Sequence, residues 1–263
     1  MIQKEERRVA IVTGGGTGVG AATCRLLAEA QFNVAIINRR SLDAAAHVVE
    51  ECRSLGADAI AIEADVADDE ACRRAIAKAE EHWGRVDALV NSAGATQFVP
   101  LSDLDKVSAA DFQQVYAVNV IGTYQMVRAA TPLLRRGGAG AVVNVSSIGS
   151  LNGNGSSYPY VTSKAALNTL TLALARSLAP QIRVNAVLPG MIETRWLRDG
   201  LGEEAYLQMR DQWASAAALE RVCTAEDIAK TIAWLLIDAN VITGQLIVAD
   251  AGFLLGRPAR VSR

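Results

Sequence analysis

Seven short runs of aliphatic and β-branched residues recur along the chain: RVAIVT (8–13), NVAIIN (33–38), DAIAIE (58–63), VDALVN (86–91), GAVVNVS (140–146), IRVNAV (182–187) and QLIVAD (245–250). They are nearly continuous in apolar residues rather than alternating. That is the pattern of strands buried on both faces of a parallel sheet. Stretches of helical period lie between most of them, at 18–30, 111–136, 160–179 and 225–237. Alternation of this kind predicts one doubly wound α/β domain over residues 1–263, with a seven-stranded parallel sheet and helices on both faces. No Ser/Pro/Gly linker, repeat or low-complexity tract divides it. The 263 residues, 51% of them hydrophobic, suffice for the core that this architecture needs.

Between the last two strands, residues 189–218 break the pattern. They carry Trp196, Leu197, Leu201, Tyr206, Met209 and Trp213. Two readings fit: a helix pair packed on the body, or a lid over a substrate pocket. In open α/β sheets ligands bind beyond the carboxyl ends of the strands, and this segment starts there.

A net charge of −2 offers no basic face for nucleic acid. No stretch is apolar enough to span a bilayer, and the charged start KEERR carries no signal-peptide pattern. Cys24, Cys52, Cys72 and Cys223 match no zinc or disulfide spacing, so free thiols in a cytoplasmic protein are expected. His47 and His82 read as surface residues, and no metal site is predicted.

The turn TGGGTGVG (13–20) follows the first strand and opens the first helix. Glycine permits a tight turn and the close approach of a pyrophosphate. The helix behind it offers free N–H groups and the positive end of its dipole. A glycine cluster alone is equally a plain turn, but the strand–turn–helix context favours a dinucleotide. At the end of the second strand stands Asn38-Arg39-Arg40-Ser41, with no carboxylate. An acid there would serve the ribose hydroxyls of NAD(H) and repel a 2′-phosphate. Arginines suit that phosphate, so NADP(H) is expected over NAD(H), and Arg39 leads Arg40. Solvated arginines at a helix start are the plainer alternative.

Tyr160 and Lys164 have the YxxxK spacing, which puts them one turn apart on one helix face. An ammonium near a phenol favours the phenolate, which makes a tyrosine a usable acid or base. At the preceding strand end Ser146 or Ser147 is placed to hydrogen-bond a substrate carbonyl. Tyr158 has Thr162 four residues on and lacks the lysine partner.

The glycine pattern TGxxxGxG with YxxxK resembles the short, single-domain branch of the short-chain dehydrogenase/reductase family. The resemblance covers residues 8–252. It implies a Rossmann-type fold and hydride transfer between NADP(H) and a carbonyl or secondary alcohol. It picks Ser147 over Ser146 and carries catalytic roles onto Ser147, Tyr160, Lys164 and Asn119, the last as a link in a proton relay. It implies cofactor contacts at Gly14, Thr17, Gly18, Val19 and Gly20; at Asn38, Arg39 and Arg40; at Asp65 and Val66; at Asn91, Ala93 and Gly94; at Tyr160 and Lys164; and at Pro189, Gly190, Ile192 and Thr194. Ser92 departs from the family's NNAG, and Asp250-Ala251-Gly252 departs from its DGG. For Asp65 a helix cap, and for Asn119 a helix bend, are the structural alternatives.

Similarity to 3-oxoacyl-(acyl carrier protein) reductases makes a small-molecule ketone the implied substrate and reduction the working direction. A homo-oligomer, tetramer or dimer, is implied with it. The competing readings are an NADP-dependent alcohol or sugar dehydrogenase and a non-catalytic NADP-binding regulator. Thr96, Gln97, Phe98, Asn152, Asn154, Trp196 and Leu197 are candidate pocket residues.

Overall fold

The computed structural model describes residues 7–40 and 42–257, except the side chains of Arg195 and Trp196. In chain order the first half holds β1 (Val9–Thr13), α1 (Gly18–Glu29), β2 (Asn33–Asn38), α2 (Leu42–Ser54), β3 (Ala59–Glu63), α3 (Asp69–Trp83), β4 (Ala88–Asn91), α4 (Ala109–Tyr116), a π-helical turn (Ala117–Gly122) and α5 (Thr123–Arg136). The second half holds β5 (Gly140–Val145), α6 (Gly149–Asn152), α7 (Tyr158–Leu178), β6 (Ile182–Pro189), β7 (Ile192–Glu193), α8 (Arg195–Leu201), α9 (Glu203–Ala216), β8 (Cys223–Thr224), α10 (Ala225–Ile237) and β9 (Leu246–Ala249).

Seven strands form one parallel sheet in the order β3-β2-β1-β4-β5-β6-β9. Each of the seven apolar runs supplies one strand. β1 shows why those runs are continuous. Ala10 and Val12 enter the core on one face, packed by α1, α2 and α10. Ile11 between them enters the core on the other face, packed by α3, α5 and α7. A two-residue period with both faces covered needs apolar residues at every position.

Helix starts follow their local sequence. Asp68 caps α3 by accepting from the backbone N–H groups of Glu70 and Ala71. Ser108 with Asp111, and Thr224 with Asp227, form capping boxes on α4 and α10. Ser157 caps α7 by accepting from Tyr160 N. By contrast, α1 has no side-chain cap and no acidic residue in its first turn. Its amino end faces the crevice between β1 and β4, where the strand order reverses.

The helix expected over 111–136 is interrupted. Its middle is the π turn Ala117–Gly122, and Asn119 lies inside it. The periodicity of apolar residues does not register the extra residue of a π turn, because the stripe continues on either side. The irregular segment resolves into β7, α8 and α9. β7 pairs in parallel with β8, a small second sheet that the sequence did not announce.

Candidate active site

A cleft of about 890 Å³ runs along the carboxyl ends of the strands. At one end lie Gly14, Thr17, Gly18, Val19, Asn38, Arg39, Arg40, Asp65 and Val66. Ala93, Gly94, Ser147, Tyr160, Lys164, Pro189, Gly190, Ile192 and Thr194 line it further along. Three expected contacts are absent from the wall: Gly20, Asn91 and Asn119. Gly20 lies beneath the turn. A Cβ on it would strike the carbonyl of Gly14, so glycine there lets the helix start pack on the turn. Asn91 is buried and donates to Asn144 Oδ1 at 2.9 Å, which ties β4 to β5.

The turn itself depends on Gly14, at φ +65°, in the region that favours glycine. Thr13 Oγ1 accepts from both Ser92 N and Ala93 N at 3.1 Å, locking the end of β1 to the segment after β4. Replacement of the family's second Asn by Ser92 leaves these two backbone bonds in place. Asn38 is turned to a structural task. Its Oδ1 accepts from Gly16 N at 3.1 Å and its Nδ2 donates to Arg40 O at 3.2 Å. Arg39 is exposed and pairs with Asp65 at 3.1 Å. Asp65 also accepts from Ala67 N at 3.0 Å, but the cap of α3 is Asp68.

These features fit a dinucleotide. The uncapped first turn of α1 leaves N–H donors for an anion. The glycine turn keeps side chains out of the path, and Arg39 and Arg40 supply positive charge at the far end.

At the other side, α7 presents Tyr160, Lys164 and Asn168 on one face at four-residue intervals. Ser147 and Tyr160 both line the cleft here, near enough for the serine to act on the phenol. Ser147 Oγ also accepts from Gly149 N at 3.1 Å. Lys164 is 5% exposed, and its Nζ donates to Val145 O at 2.8 Å. It lies 5.7 Å from the centre of the Tyr160 ring. Burial pushes the Lys164 ammonium down to about 8.

Burial also moves the Tyr160 phenol, upward, and the Ser147 hydrogen bond offsets part of that rise. This corrects one expectation. The lysine does not pull the phenol down here. Its bond goes to Val145 O, and the desolvation of both groups decides the direction of both shifts.

Asn119 forms a clamp. Its Oδ1 accepts from Ala95 N at 2.8 Å, and its Nδ2 donates to Ala95 O at 3.0 Å and Ser163 Oγ at 2.9 Å. A Cβ on Gly94 would stand 3.7 Å from Asn119 Oδ1 and 3.9 Å from Lys164 Nζ, so both side chains lie close to Gly94.

Ser146, the rival of Ser147, is buried and donates to Asn168 Oδ1 at 2.7 Å. Asn168 Nδ2 donates to Ser150 Oγ at 2.7 Å, and Ser150 Oγ donates to Ser147 O. Asn168 therefore brackets the serine segment from both sides. The sequence reading missed it, although its spacing from Tyr160 and Lys164 was visible. Tyr158, the rival of Tyr160, donates to Leu101 O at 2.9 Å.

Of the candidate pocket residues, Thr96, Phe98, Asn154 and Leu197 line the cleft. Gln97 instead donates to Asp111. Asn152 is exposed and off the wall, and the Trp196 side chain lies outside the description. Met209 and Trp213 join the wall from α9. No group of three or more His, Cys, Asp or Glu residues could hold a metal ion among the described residues.

A family model described as enoyl-(acyl carrier protein) reductase matches residues 14–254. A protein named as a granaticin polyketide synthase ketoacyl reductase, from Streptomyces violaceoruber, is 36% identical over 94% of this chain and 96% of its own. The 3-oxoacyl-(acyl carrier protein) reductase of Staphylococcus aureus is 36% identical over 94% of this chain and 98% of its own. Among solved structures, a short-chain dehydrogenase/reductase from Burkholderia xenovorans superposes with TM-score 0.89 at 44% identity, covering 95% of this chain and 99% of that one. NAD+-bound xylitol dehydrogenase superposes with TM-score 0.84 at 27% identity, covering 93% and 98%. The chain belongs to the short-chain dehydrogenase/reductase family of oxidoreductases.

Proposed function

We propose that this chain is an NADPH-dependent ketone reductase whose acid is Tyr160. The observation that carries the reading is the convergence of Ser147, Tyr160 and the buried Lys164 on one wall of a cleft that fits a dinucleotide. The names of the two curated relatives make 3-oxoacyl thioesters a first substrate class to test.

A nicotinamide bound in the cleft supplies a hydride to the carbonyl carbon. The remaining work falls to the chain. A carbonyl oxygen placed between the Ser147 and Tyr160 hydroxyls accepts from both at once. Tyr160 then transfers its proton to that oxygen, and a secondary alcohol leaves. The raised phenol keeps that proton at neutral pH, as an acid in the reducing direction requires. Lys164 stands next to the phenolate that remains, and Asn119 behind it links proton return to the loop at Ala95. The turn at Gly14, Thr17, Gly18 and Val19 would hold the pyrophosphate, with Gly20 packed beneath it. Arg39 and Arg40 would hold the 2′-phosphate. Asp65 and Val66 would serve the adenine, and Ala93, Gly94, Pro189, Gly190, Ile192 and Thr194 the rest.

The same reading makes residues 1–263 one catalytic domain with 189–218 as its lid. It puts the enzyme in a reducing cytoplasm, which suits four free, buried cysteines. Among the described residues no helix is long and apolar enough to cross a membrane.

The test is oxidation of NADPH and NADH by the purified protein over a ketone panel, beside Tyr160→Phe and Arg39→Ala. Turnover with NADPH should fall by about 10²-fold or more in Tyr160→Phe. Arg39→Ala should raise KM for NADPH about tenfold and leave KM for NADH near its starting value. Activity that survives in Tyr160→Phe would sink the acid assignment. Tight NADPH binding without turnover of any ketone would favour the regulator.

A further inference from the structure

The two ends of the cleft differ in chemistry. Its charged residues, Lys164 apart, are Arg39, Arg40 and Asp65, all at the turn end. Beyond Ser147 and Tyr160 the wall is apolar: Phe98 from the loop after β4, Leu197 and Leu201 from α8, Met209 and Trp213 from α9. Of the polar groups there, Thr96 Oγ1 and Ser156 Oγ bond each other at 2.5 Å, and Asn154 is exposed.

The wall is also braced. Trp213 stacks on Phe253 with centroids 3.8 Å apart and planes at 13°. Phe253 sits in a turn whose Gly252 N and Leu254 N donate to the Asp250 carboxylate at 2.8 and 2.9 Å. Ala251, where the family has glycine, adopts φ +56° in this turn, a backbone that the bonds to the Asp250 carboxylate hold. Phe98 also packs closely against Gly200 of α8. A Cβ on Gly200 would clash with the ring, 2.5 Å from Phe98 Cζ and 2.6 Å from Cδ2.

Among the described side chains, the rim around this end carries no surplus of positive charge. In the flanking segments each described cation is paired: Lys106 with Asp103 at 2.8 Å, Arg198 with Glu203 at 3.3 Å, Arg210 with Asp211 at 2.8 Å. Exposed Asp105 and Glu204 add further negative charge. A carrier with phosphates or a surplus of carboxylates gains nothing from such a rim and is repelled by it.

We propose that the substrate is a free, uncharged ketone with a bulky apolar body, rather than an acyl group delivered on an anionic carrier, and that Phe98, seated on Gly200, is the residue that selects it. The inference rests on the reductase reading and narrows it. The ketone body lies between Phe98 with the α8 leucines and the Met209–Trp213 wall. The carbonyl points out of the apolar end toward the two hydroxyls. Burial of apolar surface supplies the affinity, so loss of the Phe98 ring weakens binding before it slows chemistry.

The experiment compares α-tetralone, a neutral bicyclic ketone, with acetoacetyl-coenzyme A, a 3-oxoacyl thioester on a phosphate-bearing carrier. Steady-state rates are taken with saturating NADPH at low ionic strength. The expected kcat/KM is at least about tenfold higher for α-tetralone. Phe98→Ala should raise its KM about tenfold with kcat within about twofold, and Phe98→Leu should recover most of the loss. Gly200→Ala, which displaces the ring without shortening it, should raise KM in the same direction. Coenzyme A ester turned over as well as or better than α-tetralone would overturn the proposal. So would an unchanged KM in folded Phe98→Ala and Gly200→Ala.

Calorimetric titration of α-tetralone into the protein with NADP+ separates the two readings. Binding that depends on Phe98 but goes with no ketone turnover would remove the reductase and keep the apolar subsite. Absence of both binding and turnover would overturn the subsite.

Discussion

Lys164 is a cation of the site held almost out of contact with water. Its ammonium is buried, and its pKa is pushed from 10.5 down to about 8. The unfolded chain therefore binds more protons than the folded one between about pH 8 and 10.5, and stability rises with pH across that window. Below pH 8 both states hold the proton, and the folded state bears the full cost of burying the charge. The expected consequence is measurable in urea unfolding of the wild type and Lys164→Met. Raising the pH from 7.5 to 10 should stabilise the wild type relative to the variant, by on the order of 3 kcal/mol across the whole window. A difference that stays constant with pH would show that Lys164 is solvated. The spacing of Tyr160 and Lys164 was legible in the sequence. The direction of the tyrosine shift was not, because a spacing rule knows which groups are neighbours on a helix but not how much water reaches them.

At the scale of elements, the π turn between α4 and α5 does the most for the site. It points Asn119 inward to clamp Ala95 against Ser163, next to Lys164 in α7. The turn closes on Gly122, which meets the end of the segment after β3. A Cβ there would stand 2.8 Å from Val66 Cγ2 and 2.9 Å from Val66 O. The carbonyl cannot yield without moving Val66, which lines the cleft. Gly122→Ala is thus expected to destabilise by about 1–3 kcal/mol and to weaken NADPH binding together with stability. Urea unfolding and a cofactor titration check both. Loss of stability with unchanged binding would mean that Val66 makes no contact with the cofactor.

For the molecule as a whole, one sheet separates two cores, and the cleft forms where the strand order reverses between β1 and β4. The helices that carry the site also leave apolar side chains outside. Ile121 is 51% exposed, Tyr124 43% and Leu172 46%, all from the π turn, α5 and α7. Exposed apolar side chains on these elements suit a contact surface, and we propose an oligomer that covers them. A mass above that of the monomer is expected in light scattering, falling toward the monomer in Ile121→Glu. A monomeric wild type at micromolar concentration would refute the assembly.

The sequence by itself determined the fold class and the main residues of the cleft. Strand and helix periods, the Gly14–Gly20 turn and the YxxxK step are local patterns, and each imposes its geometry over a few residues. Only the tertiary structure supplies physical grounds for choosing between Ser146 and Ser147, and between Tyr158 and Tyr160. Each choice depends on which partner, distant in sequence, takes the other hydroxyl: Asn168 for Ser146 and the carbonyl of Leu101 for Tyr158. The same holds for Asn38, which binds the glycine turn, and for Phe98 on Gly200, where two segments far apart in the chain fit only because one of them lacks a side chain.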